Sequence, residues 1–138
     1  MPNRPYDCLD GLTVLVADDN PHMRKLVATL VTSLGRPARV EEACCGESAL
    51  DILGHRRVDV AIVDWRMEPV NGIDLVRAIR AEEQSRRLPV IMMSGYADPQ
   101  RVAAMRDAGA DHVLAKPLGL RNFAATLAAA AEGRGLMR

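Results

Sequence analysis

The 138-residue chain predicts an α/β fold, a doubly wound parallel sheet of five strands with helices on both faces. Three observations predict it. Segments of strand length, most of them apolar runs, alternate five times with segments of helical periodicity. These runs are continuously apolar rather than alternating, as strands buried on both faces require. Several of them stop at a lone polar residue, at the position where open α/β sheets place their ligands.

The first strand is Leu12-Thr13-Val14-Leu15-Val16-Ala17, cut off by Asp18-Asp19-Asn20. Asn20-Pro21 reads as a helix N-cap followed by a first-turn proline. Met23, Leu26, Val27, Leu30, Val31 and Leu34 then recur on one helical face until Gly35 stops it. A short second strand at about Ala38–Ala43 leads through Gly46 into a helix around Glu47–Gly54. The third strand, Val58 to Val63, halts at Asp64, and a loop with Glu68 and Pro69 closes on Asn71-Gly72. Gly72 opens a helix carrying Ile73, Val76 and Ile79 at helical spacing. Pro89 to Met93 is the fourth strand, ending at Ser94-Gly95. Asp98-Pro99 repeats the cap and proline, Val102 and Met105 face inward, and Gly109 ends that helix. His112-Val113-Leu114-Ala115 is the fifth strand, closed by Lys116-Pro117. The last helix places Leu120, Phe123, Ala124, Leu127, Ala128 and Ala131 on one face. Residues 1–10 form a polar lead-in, 11–132 the domain and 133–138 a tail; right-handed crossovers leave few ways to wind it.

Composition excludes several functions. Lysine plus arginine (18) balance aspartate plus glutamate (18), so no global charge draws the chain to nucleic acid or an anionic membrane. No apolar run is long enough for a signal peptide or a membrane span, and a cytoplasmic location is expected. Cys8, Cys44 and Cys45 are odd in number and badly spaced for zinc. They read as buried or half-buried thiols in a reducing compartment. Aromatic residues make up only 3%, so aliphatic side chains must fill the core.

In a parallel sheet every strand's carboxyl end lies on one edge. Asp18, Asp19, Asp64, Ser94 and Lys116 therefore converge. Each alone has a plain explanation, since aspartate also ends strands by favouring turns. Five such placements on one edge share no plain explanation. Packed carboxylates raise one another's pKa unless a cation intervenes. Hard oxygen ligands with room for water suit Mg2+. An ion between Asp19 and Asp64 leaves coordination sites for phosphoryl oxygens. Lys116 can pair with another such oxygen, Ser94 can donate to it, and the Asp64 carboxylate is the candidate nucleophile.

These residues resemble a known family, the receiver domains of two-component response regulators. The resemblance runs from about Gly11 to Ala131. It rests on Val-Ala-Asp-Asp-Asn (16–20), Val-Asp-Trp-Arg-Met-Glu-Pro-Val-Asn-Gly (63–72), Met-Ser-Gly-Tyr (93–96) and Ala-Gly-Ala-Asp-His-Val-Leu-Ala-Lys-Pro-Leu (108–118). It implies a flavodoxin-like sheet of strand order 2-1-3-4-5. It implies that Asp64 is the phosphoacceptor, with Mg2+ bound by Asp19, Asp64 and the backbone carbonyl of Arg66, and by Asp18 mainly through water. Ser94 would be the switch hydroxyl and Lys116 the phosphate-pairing lysine, with a cis peptide before Pro117. The phosphodonor would be a phosphohistidine on a histidine kinase or histidine phosphotransfer protein. Output would pass to a protein partner through the surface of the fourth helix, fifth strand and fifth helix, roughly Pro99 to Glu132.

The chain also departs from that family's pattern. Val113 stands where the family commonly has an aromatic residue that swings inward, so backbone movement after Ser94 is expected to carry the response instead. Leu118 replaces a common phenylalanine. Arg66 and Tyr96 occupy positions that tune phosphate loss in this family, and either shield the acyl phosphate or point into solvent. Glu68 and Pro69 are expected to shape their loop, the alternative role for Glu68 being to hold a metal-bound water.

With no output domain expected, the reading is a stand-alone receiver that catalyses only its own phosphorylation and dephosphorylation. The alternative within the class is a phosphate shuttle or sink. A metal-dependent phosphohydrolase would need an acid two residues after Asp64, where Arg66 stands. A flavin carrier would need a phosphate-cradling first loop, where Asp18-Asp19 would repel the phosphate. A nucleotide switch would need a glycine-rich phosphate loop that the chain lacks.

Overall fold

β1 (Thr13–Ala17), β2 (Arg39–Ala43), β3 (Val60–Asp64), β4 (Val90–Ser94) and β5 (His112–Ala115) form one sheet. All its pairs are parallel, and the order is β2-β1-β3-β4-β5. Between and after the strands run α1 (Pro21–Leu34), α2 (Gly46–His55), α3 (Gly72–Ala81), α4 (Pro99–Ala108) and α5 (Leu120–Leu136). This is the doubly wound architecture and the strand order that the sequence leads one to expect. The computed structural model describes residues 9–34, 39–67, 71–96 and 98–136. The expectations for residues 1–8 including Cys8, for Gly35 and Ala38, and for Glu68 and Pro69 lie outside the described residues. α5 continues through residues 133–136, which the sequence reads as tail.

The strands alternate their side chains between two cores. Leu15, Ala17, Ala61, Val63, Val90 and Met92 face α2, α3 and α4, where Ala49, Leu75, Val76, Ile79 and Met105 cover them. Val14, Val16, Val60, Ile62, Ile91 and Met93 face α1 and α5, met by Val27, Val31, Phe123 and Leu127. Phe123 is fully buried, and the rest of both cores is aliphatic or methionine. Each fully buried Val, Leu, Ile, Met or Phe side chain contributes roughly 1.5–3 kcal/mol. The three central strands carry this load, with every residue of β3 and β4 buried.

The helix starts follow from local chemistry. Asn20 Oδ1 accepts from the backbone N–H of His22 and Met23, at 2.9 and 3.2 Å. Asn71 and Asp98 cap α3 and α4 in the same way. Cys45 caps α2, its Sγ accepting from Ser48 N at 3.4 Å. α4 ends at Gly109, whose φ of 124° suits only a residue without a Cβ.

Three expectations need correction. Leu26, placed on the inward face of α1, is 49% exposed, and the helix buries Ala28 instead. Leu120, placed on the inward face of α5, is 56% exposed, because it begins the helix before Phe123 reaches the core. Cys44 is exposed rather than buried, since the chain leaves edge strand β2 at Ala43; Cys45 is half-buried as expected. His22 and His55 are exposed and His112 is half-buried.

Candidate functional site

Strand register brings the polar strand ends to one level. Ala17 pairs with Val63, so Asp18 follows beside Asp64. Asp64 pairs with Met93, and Ser94 with Ala115, so Ser94 and Lys116 fall in on the other side. The Gly72 N–H donates to the Trp65 carbonyl at 2.9 Å, tying the start of α3 to the end of β3. Gly72 is required there, because a Cβ would run into the carbonyl oxygen of Asp64.

Asp18, Asp19 and Asp64 each place a carboxylate oxygen within 4.8 Å of the others. Asp18 and Asp64 are buried while Asp19 is exposed. Lys116 Nζ meets Asp64 Oδ1 at 2.8 Å, across the cis peptide bond-bearing Lys116-Pro117 turn. One ammonium therefore faces three carboxylates. Burial pushes the Asp64 carboxyl above its ordinary value of 3.8, and the hydrogen bond from Lys116 pulls it part of the way back. Burial likewise raises Asp18, and the Asp64 charge adds to the rise, against the backbone N–H of Asn20 and the charge of Lys116. Asp18 Oδ1 accepts from that N–H at 2.9 Å. Asp18 Oδ2 is fully buried and has no hydrogen-bond partner among the described residues.

That donor set fits a hard divalent cation. It offers carboxylate oxygens without nitrogen or sulfur, carries excess negative charge, and holds one buried oxygen that lacks a donor. A divalent ion supplies charge neutralisation and open coordination positions at such a centre.

Ser94 is buried, and its hydroxyl is fully engaged. Oγ donates to the Tyr96 carbonyl at 2.6 Å and accepts from the Tyr96 N–H at 3.1 Å. The hydroxyl thus folds the loop after β4 back on itself. Val113 is half-buried, packs against the core under α3 and α4, and pairs with Met92 in the sheet. Arg66 and Tyr96 are both exposed, Tyr96 at 68%. They nevertheless line one cleft of about 320 Å³ together with Asp64, Ser94 and Lys116.

Trp65 and Gly95, both within the motifs read from the sequence, also line the cleft, and the structure adds Arg101, which sequence reasoning missed. The Arg101 guanidinium sits 4.8 Å from the Trp65 ring centroid and 5.5 Å from that of Tyr96. Arg24 donates to the Asp18 carbonyl at 2.9 Å and pairs with Glu42 at 3.2 Å, bracing the acidic loop from α1. An arginine on the polar side of a helix carries no signal in sequence that separates such a brace from a solvated charge.

Comparison with known proteins gives a consistent result. Residues 14–128 match the family model described as the response regulator receiver domain. The chemotaxis protein CheY of Pseudomonas aeruginosa is 34% identical over 106 residues, covering 77% of this chain and 85% of that protein. A CheY homologue of Campylobacter jejuni is 35% identical over 107 residues, covering 77% and 82%. Among solved structures, CheY4 of Vibrio cholerae superposes with a TM-score of 0.80 at 28% identity, covering 86% of this chain and 98% of that one. The receiver domain of the sensor histidine kinase PA1611 from P. aeruginosa gives 0.80 at 27% identity, covering 88% and 98%, and holds a magnesium ion in its active-site cleft.

Proposed function

The chain belongs to the response regulator receiver domain family, and from that premise we propose that Asp64 accepts a phosphoryl group from a phosphohistidine in a Mg2+-dependent reaction. The observation that carries this is the convergence of three carboxylates within 4.8 Å, one of them held by Lys116 at 2.8 Å. Asp18, Asp19 and Asp64, with the backbone carbonyl of Arg66, would hold the ion.

Lys116 occupies Oδ1 of Asp64, which leaves Oδ2 to attack phosphorus. The new O–P bond forms as the P–N bond of the phosphohistidine breaks. The imidazole nitrogen keeps the electron pair and takes up a proton. Lys116 then shifts its charge to a phosphoryl oxygen. Ser94 gives up its bond to the Tyr96 carbonyl and donates to another phosphoryl oxygen, which frees the loop after β4. A half-buried valine at position 113 has no rotameric swing to offer, so the loop itself is the moving part. The donor is a histidine kinase or a histidine phosphotransfer protein, and the signal leaves through the α4–β5–α5 surface to a protein partner. Leu120, exposed at the start of α5, suits such a contact.

Treatment with Mg2+ and acetyl phosphate should add one phosphoryl group to the protein, read by intact mass, and change the emission of the single tryptophan, Trp65. Asp64→Asn should abolish both. Persistence of the modification in that variant overturns the assignment. Arg66 and Tyr96 line the cleft mouth and shield the acyl phosphate from water. Replacing both with alanine should shorten the phosphoryl lifetime severalfold, and an unchanged decay rate counts against shielding.

A further inference from the structure

We propose that Arg101 is a further cationic group of the acceptor cleft beside Lys116 and Arg66, parked on the rings of Trp65 and Tyr96 in the free protein and transferred to phosphoryl oxygens once Asp64 is modified. The inference rests on the phosphoacceptor reading and deepens it. Arg101 lies in the first turns of α4 and lines the same cleft as Asp64, Ser94 and Lys116. Its guanidinium is within cation–π range of both rings, at 4.8 and 5.5 Å. Among the described residues it makes no ion pair.

A guanidinium held only by ring faces is held weakly, because cation–π contacts at partly exposed sites are small. A phosphoryl group is the stronger partner, since it offers a fixed anionic acceptor whose geometry matches the guanidinium fork. Modification of Asp64 adds negative charge to a centre whose three carboxylates are only balanced by Lys116 and one divalent ion together. The free-state anchors of Arg101 would loosen at the same moment. Tyr96 is tied to Ser94 Oγ by two hydrogen bonds, at 2.6 and 3.1 Å, and the one that Ser94 donates must break for its hydroxyl to donate to the phosphoryl group. Release of Tyr96 and recruitment of Arg101 are therefore one event. Because Arg101 belongs to α4, the exchange carries the charge change onto that helix, without any aromatic rotation at Val113.

Beryllofluoride, a stable mimic of the aspartyl-bound phosphoryl group, tests this by equilibrium titration in Mg2+ with Trp65 emission as readout. Arg101→Ala should already alter the emission of the free protein and should weaken beryllofluoride binding about tenfold, the size of one charge-assisted hydrogen bond. Arg101→Lys, which keeps the charge and loses the flat stack, should restore a large part of that affinity. If beryllofluoride affinity stays within about twofold of wild type in Arg101→Ala, while thermal stability falls, Arg101 is only a brace for the two rings and the proposal is wrong. If the wild-type protein binds no beryllofluoride and takes no phosphoryl group from acetyl phosphate, the acceptor reading itself fails, and this inference with it.

Discussion

Asp111 and Asp64 stand at opposite edges of the same sheet, and the protein treats them in opposite ways. Asp111 precedes β5 at the amino edge. Its Oδ2 accepts from the Val90 N–H at 2.9 Å and from Arg80 Nη2 at 3.0 Å. Asp59, preceding β3 on that edge, accepts from the Thr13 N–H at 2.9 Å. Arg80 in turn donates to the carbonyls of Leu88, Gly109 and Arg86 at 2.6, 2.7 and 3.0 Å. Charges at this edge are wired into strand starts and turn carbonyls. At the carboxyl edge three carboxylates share one lysine, and a buried oxygen of Asp18 lacks a donor. The same residue types close the fold at one edge and leave chemistry open at the other. The difference lies in what surrounds the charge.

Removing a wired charge should therefore cost stability and spare the site. Arg80→Ala should lower the free energy of unfolding by about 2–3 kcal/mol, since several half-buried carbonyls lose their donor at roughly 1 kcal/mol each. The partly exposed ion pair with Asp111 adds little to that. Urea denaturation measures the loss, and the affinity for Mg2+ should not change. A large drop in Mg2+ affinity would mean that the two edges are coupled.

Removing an unwired charge should do the reverse. The folded-state pKa of Asp18 is raised above 3.8, so the folded protein binds this proton more tightly than the unfolded chain does. The ionised group opposes folding at neutral pH, and the penalty fades as pH falls through the folded value, vanishing below 3.8. Asp18→Asn should thus make the metal-free protein more stable than wild type at neutral pH, with an advantage that shrinks on acidification. Its Mg2+ affinity should fall about tenfold or more, as for other groups that act on a metal at one remove. Urea melts across pH in a chelating buffer, paired with Mg2+ titrations, read both effects. A metal-free variant less stable than wild type at neutral pH would show that Asp18 is wired after all.

The legible parts of the site were those set by strand ends. Asp18, Asp64, Ser94 and Lys116 each stop or follow a continuous apolar run, and parallel strands put such stops on one edge by geometry alone. Arg101, Arg80 and Arg24 were not legible. Each lies on a helix among other charges, and only the docking of that helix against the sheet gives it rings, carbonyls or an acidic loop to touch. The misplacement of Leu26 and Leu120 has the same origin. Helical periodicity finds a face but not where the neighbouring layer ends.

By itself, the sequence determined five strands, the helices that cover them, their caps and the edge where polar groups gather, because hydrophobic period and capping chemistry are local. Tertiary structure alone decided that Ser94 is bound to its own loop, that Arg101 rests on two rings, and that one edge is neutralised while the other is not. Those outcomes depend on which oxygens and donors meet across distant segments, and no local pattern of residues encodes such a meeting.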